Sequence, residues 1–359
     1  MDTRKIMACL LGATLMVGAN NFTYAKEVKE EKILTLKEAV NKAQSKSLQL
    51  RITERNTELA KENAEMAYLQ GGYYAYDSKN VDYQYTQKQQ GVIKDQVALS
   101  VTNLYEDIIL SEKKLDNLSA SLQLWEKQNM KDQIEFDRGL KSNLYMQQKE
   151  LEHQQSLQSK ADLEKQLELK YMQLGNMVGL TMKYYTLEEP ELVFEPYRDV
   201  PNLDSFASSK AEDHVALWKA TEELRVALET PIFTQDYMTV ITMKANRETA
   251  KDNQRLTKEN LEKSIREIYV QVKQLESQYN LLVSQLELKE KELKVNELYL
   301  ERGMISNLQY EQSKIAYDKA KLELDQVISQ HNQLKYQLDH PHLIPCLLYT
   351  SPSPRDTER

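Results

Sequence analysis

Five histidines and two cysteines are the side chains of this 359-residue sequence best suited to metal binding or nucleophilic chemistry. Their spacing supports neither. His153, His214, His331, His340 and His342 form no H-E-x-x-H pair and no Cys/His ligand set, which zinc sites need so that three or four donors converge. His331 lies on an apolar helical stripe and reads as a packed core residue. No glycine-rich phosphate loop and no G-x-S-x-G turn is present. The many Glu and Lys residues recur at i,i+4 spacing, the pattern of solvated helix faces. The sequence therefore describes no enzyme and implies no cofactor or metal.

Recognition chemistry, by contrast, is written twice. "DRGLKSNL" at 137–144 returns as "ERGMISNL" at 301–308. Gly139 and Gly303 lack a Cβ, so each can take a left-handed turn or admit another backbone at close range. Leu140 and Met304 follow as apolar knobs, Ser142 and Ser306 offer a hydroxyl, and Arg138 and Arg302 precede. Such a set can dock a partner through close backbone approach, a filled apolar pocket and a hydrogen bond. It can also do no more than end one helix and cap the next. Capping alone does not ask for Leu or Met after the glycine, which favours docking.

The elements that carry these octets are long helices. The chain has only 9 Gly and 8 Pro, and residues 26–189 and 232–340 contain no proline, the strongest helix breaker. Gly139 is the only glycine between 92 and 174, and Gly303 the only one between 232 and 340. Leu261, Ile265, Ile268, Val272, Leu275, Tyr279, Leu282 and Leu286 recur at four- and three-residue spacing, continued by Leu293 and Leu300. Beyond the second octet, Tyr310, Ser313, Tyr317 and Ala320 form one stripe and Leu308, Ile315 and Leu322 another. A helix with two such stripes needs neighbours on two sides. Two heptad helices joined through one glycine make an antiparallel hairpin. Arms over 92–138 and 243–302 would be about 70 and 90 Å long, so the molecule must be elongated.

The hairpins are copies of one unit. At an offset of 164 residues, Tyr105 falls on Tyr269, Leu118 on Leu282, Arg138 on Arg302 and Gln148 on Gln312. At 167, Leu36, Leu48, Leu50 and Ala60 match Leu203, Val215, Leu217 and Ala227. The expected fold is all-α: a first helical-hairpin repeat over 26–187, a proline-marked joint over 188–202 and a second repeat over 203–340. Residues 1–25 read as a signal peptide, with Arg4 and Lys5 before an apolar run and Thr23-Tyr24-Ala25 at its end. The run is too short to span a bilayer. At the other end, "CLLYTSPSPRD" at 346–356 looks like a translated sequencing adapter, so residues 341–359 are set aside. Cys9 and Cys346 fall in these two segments, which leaves no cysteine chemistry in the mature chain.

The opening segment "LTLKEAVNKAQSKSLQLRITERNTELAKENAEMAY", the duplicated hairpins and the closing "YLERGMISNLQYEQSKIAYDKAKLELDQVISQHNQLKYQL" resemble the TolC family of outer-membrane efflux proteins over about 34–338. The resemblance implies a homotrimer enclosing a hollow α-helical barrel, with the hairpin ends acting as an iris. It also implies that the tips dock on a membrane-fusion adaptor coupled to an inner-membrane ABC or proton-driven transporter. By that likeness Gly139, Leu140, Ser142, Gly303, Met304 and Ser306 are the docking residues, flanked by Arg138 and Arg302. The formal charge of −8 provides no footprint for nucleic acid.

Two departures limit the likeness. Many relatives carry Asp six residues after the second tip glycine; here Gln309 stands there, Tyr145 in the first repeat, and Glu311 follows. Gln309 and Glu311 are the candidate pore constriction. Family members also place two membrane strands in each connector, whereas the connectors here, 70–90 and 229–243, are short. The first has room for two strands of four or five residues around Asp77, and a bilayer-spanning strand needs ~9 to 11. The barrel is thus expected to be reduced or lost, and outer-membrane insertion is not implied. The tyrosines Tyr73, Tyr74, Tyr76, Tyr83 and Tyr85 either pack helix ends or form an interfacial ring. The expected protein is exported to the envelope, in outer membrane or periplasm, as the exit duct of a tripartite efflux or type I secretion system. The alternative is an exported coiled-coil scaffold without a channel. An adaptor is disfavoured, since adaptors have one hairpin set in glycine-rich β-domains.

Overall fold

The computed structural model describes residues 32–232 and 236–345; the expected signal peptide and the stretch 346–356 lie outside them. The described residues form β1 (Lys32–Leu34), α1 (Leu36–Lys46), α2 (Leu48–Asp137), α3 (Asn143–Val178), β2 (Tyr185–Leu187), α4 (Leu203–Glu212), α5 (Val215–Glu229), α6 (Tyr237–Glu301) and α7 (Asn307–Asp339). The architecture is all-α with one small parallel sheet, in which Leu34 of β1 stands opposite Leu187 of β2.

α2 is two helices in antiparallel contact. Gly72 has φ 70 and ψ −157, which breaks the helix and reverses it. Gln90 Nε2 donates to Thr57 Oγ1 at 3.0 Å, and the Tyr68 and Tyr76 rings meet edge-on at 6.0 Å, so the arms 48–71 and 73–137 run back along each other. The short strands for which 70–90 had room do not form, and those residues other than Gly72 are helical. The tyrosines and valines there favour strands only weakly, and tertiary packing overrides that preference. Val81 is buried, and buried Asp77 accepts both branches of a bidentate pair from Arg225 of α5 at 2.9 Å. In the second connector, helix starts at Tyr237, earlier than the expected 243, where the Asp236 carboxylate caps it by accepting from Thr239 N–H at 2.8 Å. The arms 73–137 and Tyr237–Glu301 have the same length, 65 residues, and begin and end at the same offset of 164. Each is about 97 Å long.

Each repeat has its own core near the base of its hairpin. In the first, Ala39 and Ala43 let α1 approach closely to Val101, Tyr105, Ile108 and Leu174. In the second, Ala207 and Ala211 of α4 do the same against Leu261, Ile265 and Val272, with Leu338 of α7. The duplicated tyrosines share a task. The Tyr105 hydroxyl lies 2.7 Å from the Leu34 and Glu188 carbonyl oxygens, and burial pushes its pKa up to about 12. The Tyr269 hydroxyl accepts from Val200 N–H at 3.2 Å. Both therefore hold the chain where it enters a repeat.

The joint 188–202 lies along the second repeat. Phe194 stacks on Tyr279 at 3.6 Å, Lys273 Nζ donates to the Tyr197 carbonyl at 2.7 Å, and Asn332 Nδ2 donates to the Val193 carbonyl at 3.0 Å. His331 is fully buried against Phe194, the core position its stripe assigned it. α7 packs on α6 with one stripe and on α2 with the other. Residues 341–345, set aside on sequence grounds, continue this packing: Leu343 and Ile344 are buried, and His214 Nε2 lies 3.1 Å from the Ile344 carbonyl oxygen. His214 Nδ1 accepts from Ala216 N–H, so Nε2 carries the proton toward Ile344, and burial lowers the ring's pKa.

Candidate functional site: the hairpin tips

Both octets fold as helix ends followed by new helix starts. At the first tip, Gly139 N–H donates to Phe136 O at 2.8 Å and Leu140 N–H to Glu135 O at 2.9 Å. At the second, Gly303 N–H donates to Leu300 O at 2.9 Å and Met304 N–H to Tyr299 O at 2.8 Å. These are Schellman closures, in which a left-handed residue lets two N–H groups reach back to orphan carbonyls. Gly139 and Gly303 supply it, with φ 76 and 69. Ser142 then accepts from Tyr145 N–H at 3.1 Å and Ser306 from Gln309 N–H at 3.3 Å, each starting the returning helix. A Schellman turn commonly packs its apolar residue back on the helix, but Leu140 is 72% exposed and Met304 65%. Arg138, Arg302 and both serines are exposed as well. The structure thus brings each set together as one solvent-facing knob.

The two tips are closed differently. At the first, Asp132 is almost completely buried and takes hydrogen bonds from Lys141, from Gln128 Nε2 at 2.7 Å and from the Tyr145 hydroxyl at 3.0 Å. Burial opposes ionisation of Asp132, but these donors, Lys141 foremost, outweigh it and hold the carboxyl below its ordinary pKa. Lys141 is raised, chiefly by Asp132. The second tip has Asn296 and Ile305 at the matching positions, and closes with a capping box in which Ser306 N–H donates to Gln309 Oε1 at 2.9 Å.

Other surfaces bear on assembly. Leu281, Leu288 and Val295 of α6 repeat every seven residues yet are 59%, 63% and 44% exposed, and Ile52, Leu59 and Met66 of α2 do likewise. The buried residues of α6 face α4, α5 and α7, so this is a second, uncovered stripe. A polar groove of about 720 Å³ between α2, α3 and α7 is lined by Asn103, Asp107, Ser111, Lys170 and Gln333, among others. Lys170 there is paired with Asp107 at 2.8 Å and donates to the Ser111 hydroxyl at 2.9 Å. No group of three or more His, Cys, Asp or Glu is placed to hold a metal among the described residues.

Several solved structures share this architecture. The outer membrane protein VceC from Vibrio cholerae superimposes with a TM-score of 0.61 at 12% identity, covering 86% of this chain and 96% of its own. The Campylobacter jejuni CmeC outer membrane channel gives 0.60 at 11%, over 93% and 95%. The open state of the Neisseria gonorrhoeae MtrE outer membrane channel gives 0.55 at 15%, over 86% and 89%. The chain has the TolC-type fold. No protein-family model and no curated protein matches the sequence itself. The structures that the TolC-type chain is similar to are described as membrane proteins and channels, not enzymes.

Within this TolC-type chain, the expected constriction residues have local partners. Gln309 is engaged in the capping box. Glu311 is paired with Lys127 of α2 at 2.6 Å and accepts from Asn307 Nδ2 at 3.0 Å, so it links the two hairpins. Two heptads further along the same contact, Lys113 pairs with Asp325 at 2.7 Å, and Ser329 donates to Glu106, whose carboxyl is raised by burial. Sequence reading missed the Asp132–Lys141 cluster. Its members are nine residues apart across a turn, a spacing that neither helical nor strand periodicity marks.

Proposed function

We propose that this chain is the protomer of a trimeric export duct, the exit component of a tripartite efflux or type I secretion system. The observation that carries the reading is the pair of uncovered heptad stripes, Leu281–Leu288–Val295 and Ile52–Leu59–Met66, on a fold shared with outer-membrane channels. An apolar seven-residue repeat left in water is a coiled-coil seam without its partner. Neighbouring protomers supply that partner and close the wall. The duct performs no chemistry: it provides a hydrated path, and its partners supply energy.

In this reading the knobs at Gly139–Leu140 and Gly303–Met304 dock on the hairpin ends of a membrane-fusion adaptor, which links the duct to an inner-membrane ABC or proton-driven transporter. Leu140 and Met304 enter apolar pockets, and the glycines, with no atom within 4 Å of a would-be Cβ, leave room for the adaptor's backbone. The Lys127–Glu311 and Lys113–Asp325 pairs set the two hairpins relative to each other and yield when the tips spread.

Sedimentation of the exported protein tests the assembly. The wild type is expected to run as a trimer, and Leu281→Glu with Leu288→Glu as a helical monomer. A monomeric wild type refutes the duct. A photo-crosslinker at Leu140 or Met304 is expected to capture an adaptor, whereas one at Leu157, on the exposed flank of α3, is not. Unchanged export in a deletion strain whose envelope shape is altered would instead point to a scaffold.

A further inference from the structure

Residues 340–344 leave the end of α7 and tie it to α2 and to the corner between α4 and α5. His342 Nε2 lies 2.8 Å from Asp95 Oδ2 of α2, and Pro341, Leu343 and Ile344 are buried. His340 stacks on Tyr336 at 4.0 Å and donates from Nδ1 to the Tyr336 carbonyl at 3.0 Å. The other end of this strap rests on His214. That ring is 6% exposed and uses both nitrogens: Nδ1 accepts from Ala216 N–H at 3.0 Å, capping α5, and Nε2 donates to the Ile344 carbonyl at 3.1 Å. Only the neutral ring can make both bonds. α5 in turn carries Arg225 to Asp77 and Lys219 to Asp82 of α2, so its start belongs to the tie between the repeats.

We propose that the strap is a clasp that opens in acid: a proton on His214 drives the ring out toward water, freeing Ile344 and the first turn of α5, while His342 keeps its hold on Asp95. The new proton would sit on Nδ1 against Ala216 N–H, two donors face to face, with its charge at the positive end of a helix dipole. The Ile344 carbonyl favours the charged ring, but burial outweighs it, and His342 repels a second positive charge. The acids nearby are already engaged or exposed. Asp95 is bonded to His342, Glu212 of α4 lies 3.4 Å from Lys258 of α6, Asp339 of α7 accepts from the Tyr197 hydroxyl at 3.2 Å, and Asp213 is exposed. The pKa of His214 is therefore held below its ordinary value of 6.5. With the folded value lowered, the contribution of the clasp is complete above the ordinary value and is lost as pH falls toward the folded one. The other two histidines of the strap do not share this behaviour. A proton on His342 strengthens its pair with Asp95, and His340 already donates from Nδ1, so a proton on its other nitrogen leaves that bond intact.

The clasp does not depend on the duct reading, and the exported full chain tests it. Amide exchange at Ala216, corrected for the intrinsic effect of pH, should show constant protection above pH 7. Between pH 6.5 and 5.5 protection should fall, by up to about ten-fold, the limit that one proton sets over one pH unit. Flat protection from pH 7.5 to 5 overturns the proposal. Trp218, one turn into α5 with Lys88 Nζ 4.8 Å from its ring, gives a second reading. In Trp125→Phe its emission should change over the same range, and constant emission counts against the clasp. His214→Asn keeps a capping side chain that does not titrate and should remove both transitions. If that variant titrates like the wild type, the transition belongs to His153 or His331, which it retains, and the proposal fails. Should the variant fold poorly, the wild-type profile alone decides. His342→Gln should lower Ala216 protection at pH 7.5 by about three-fold or more, since the strap loses its anchor; protection equal to the wild type would show that strap and cap are uncoupled, and would overturn the clasp.

Discussion

Substituting the tip glycines separates turning from docking. At Gly303 φ is 69 and nothing lies within 4 Å of an added Cβ, so Gly303→Ala meets only the backbone penalty of the left-handed region. That penalty is roughly 1 to 2 kcal/mol for most L-residues and smaller for Asn, whose short side chain tolerates this conformation. The closing bonds are Gly303 N–H to Leu300 O and Met304 N–H to Tyr299 O. Their amide exchange should therefore speed up about five-fold or more in Gly303→Ala, for about 1 kcal/mol of local opening, and change little in Gly303→Asn. Global unfolding should barely move, because the tip is far from both cores. Both variants fill the open space above the turn, so adaptor crosslinking from Met304 should fall in both. If crosslinking follows exchange, lost in Ala and kept in Asn, the octet only makes the turn. If the Ala variant exchanges like the wild type, the energetic reasoning itself is wrong.

Asp132→Asn should loosen the first tip by about 2 kcal/mol, since three donors lose a charged acceptor, while the second tip is untouched; exchange at each tip checks this. Because the folded pKa of Asp132 is lowered, its contribution is fully present above its unfolded value near about 4 and is lost as pH falls through the lower folded value. Acid should therefore open the first tip before the second, and simultaneous opening would refute the assignment. Tyr105→Phe removes the hydroxyl that lies between the Leu34 and Glu188 carbonyls and should cost about 1 to 2 kcal/mol in a denaturant titration; an unchanged midpoint contradicts the anchoring role. Lys127→Glu and Glu311→Lys should each weaken the contact between hairpins, by up to about 1 kcal/mol given their partial exposure, and the double reversal should restore it at low salt.

The repeat and the tips were legible because both are matters of punctuation: prolines and glycines are scarce here, and Gly139 and Gly303 are the ones that turn the chain at the tips. The heptads of α6 were equally readable, since Leu261, Ile265, Val272 and Leu282 are all buried on the predicted stripe. The far end was not. Residues 70–90 carry tyrosines and valines that suit strands, and their helical state depends on Asp77 meeting Arg225 and Gln90 meeting Thr57, contacts between segments that no local window contains. Gly71-Gly72 was the available signal, a tight reversal like the one at the tips. The replacement of a tip charge by Gln309 was visible in sequence, but its use in a capping box became clear only with the backbone of α7 in place.

The matched arms, 65 residues in each repeat, act as a gauge. Equal arms give the two hairpins the same reach from turn to tip. Removing one heptad from a single hairpin would set its tip back by about 10 Å while keeping every seam in register. A ring of such protomers would then offer a stepped rim in place of a flat one. In the proposed ring, lengthening or shortening is thus tolerable only in step, by whole heptads and in both hairpins at once, so the length of the hairpins can change only in increments of about 10 Å.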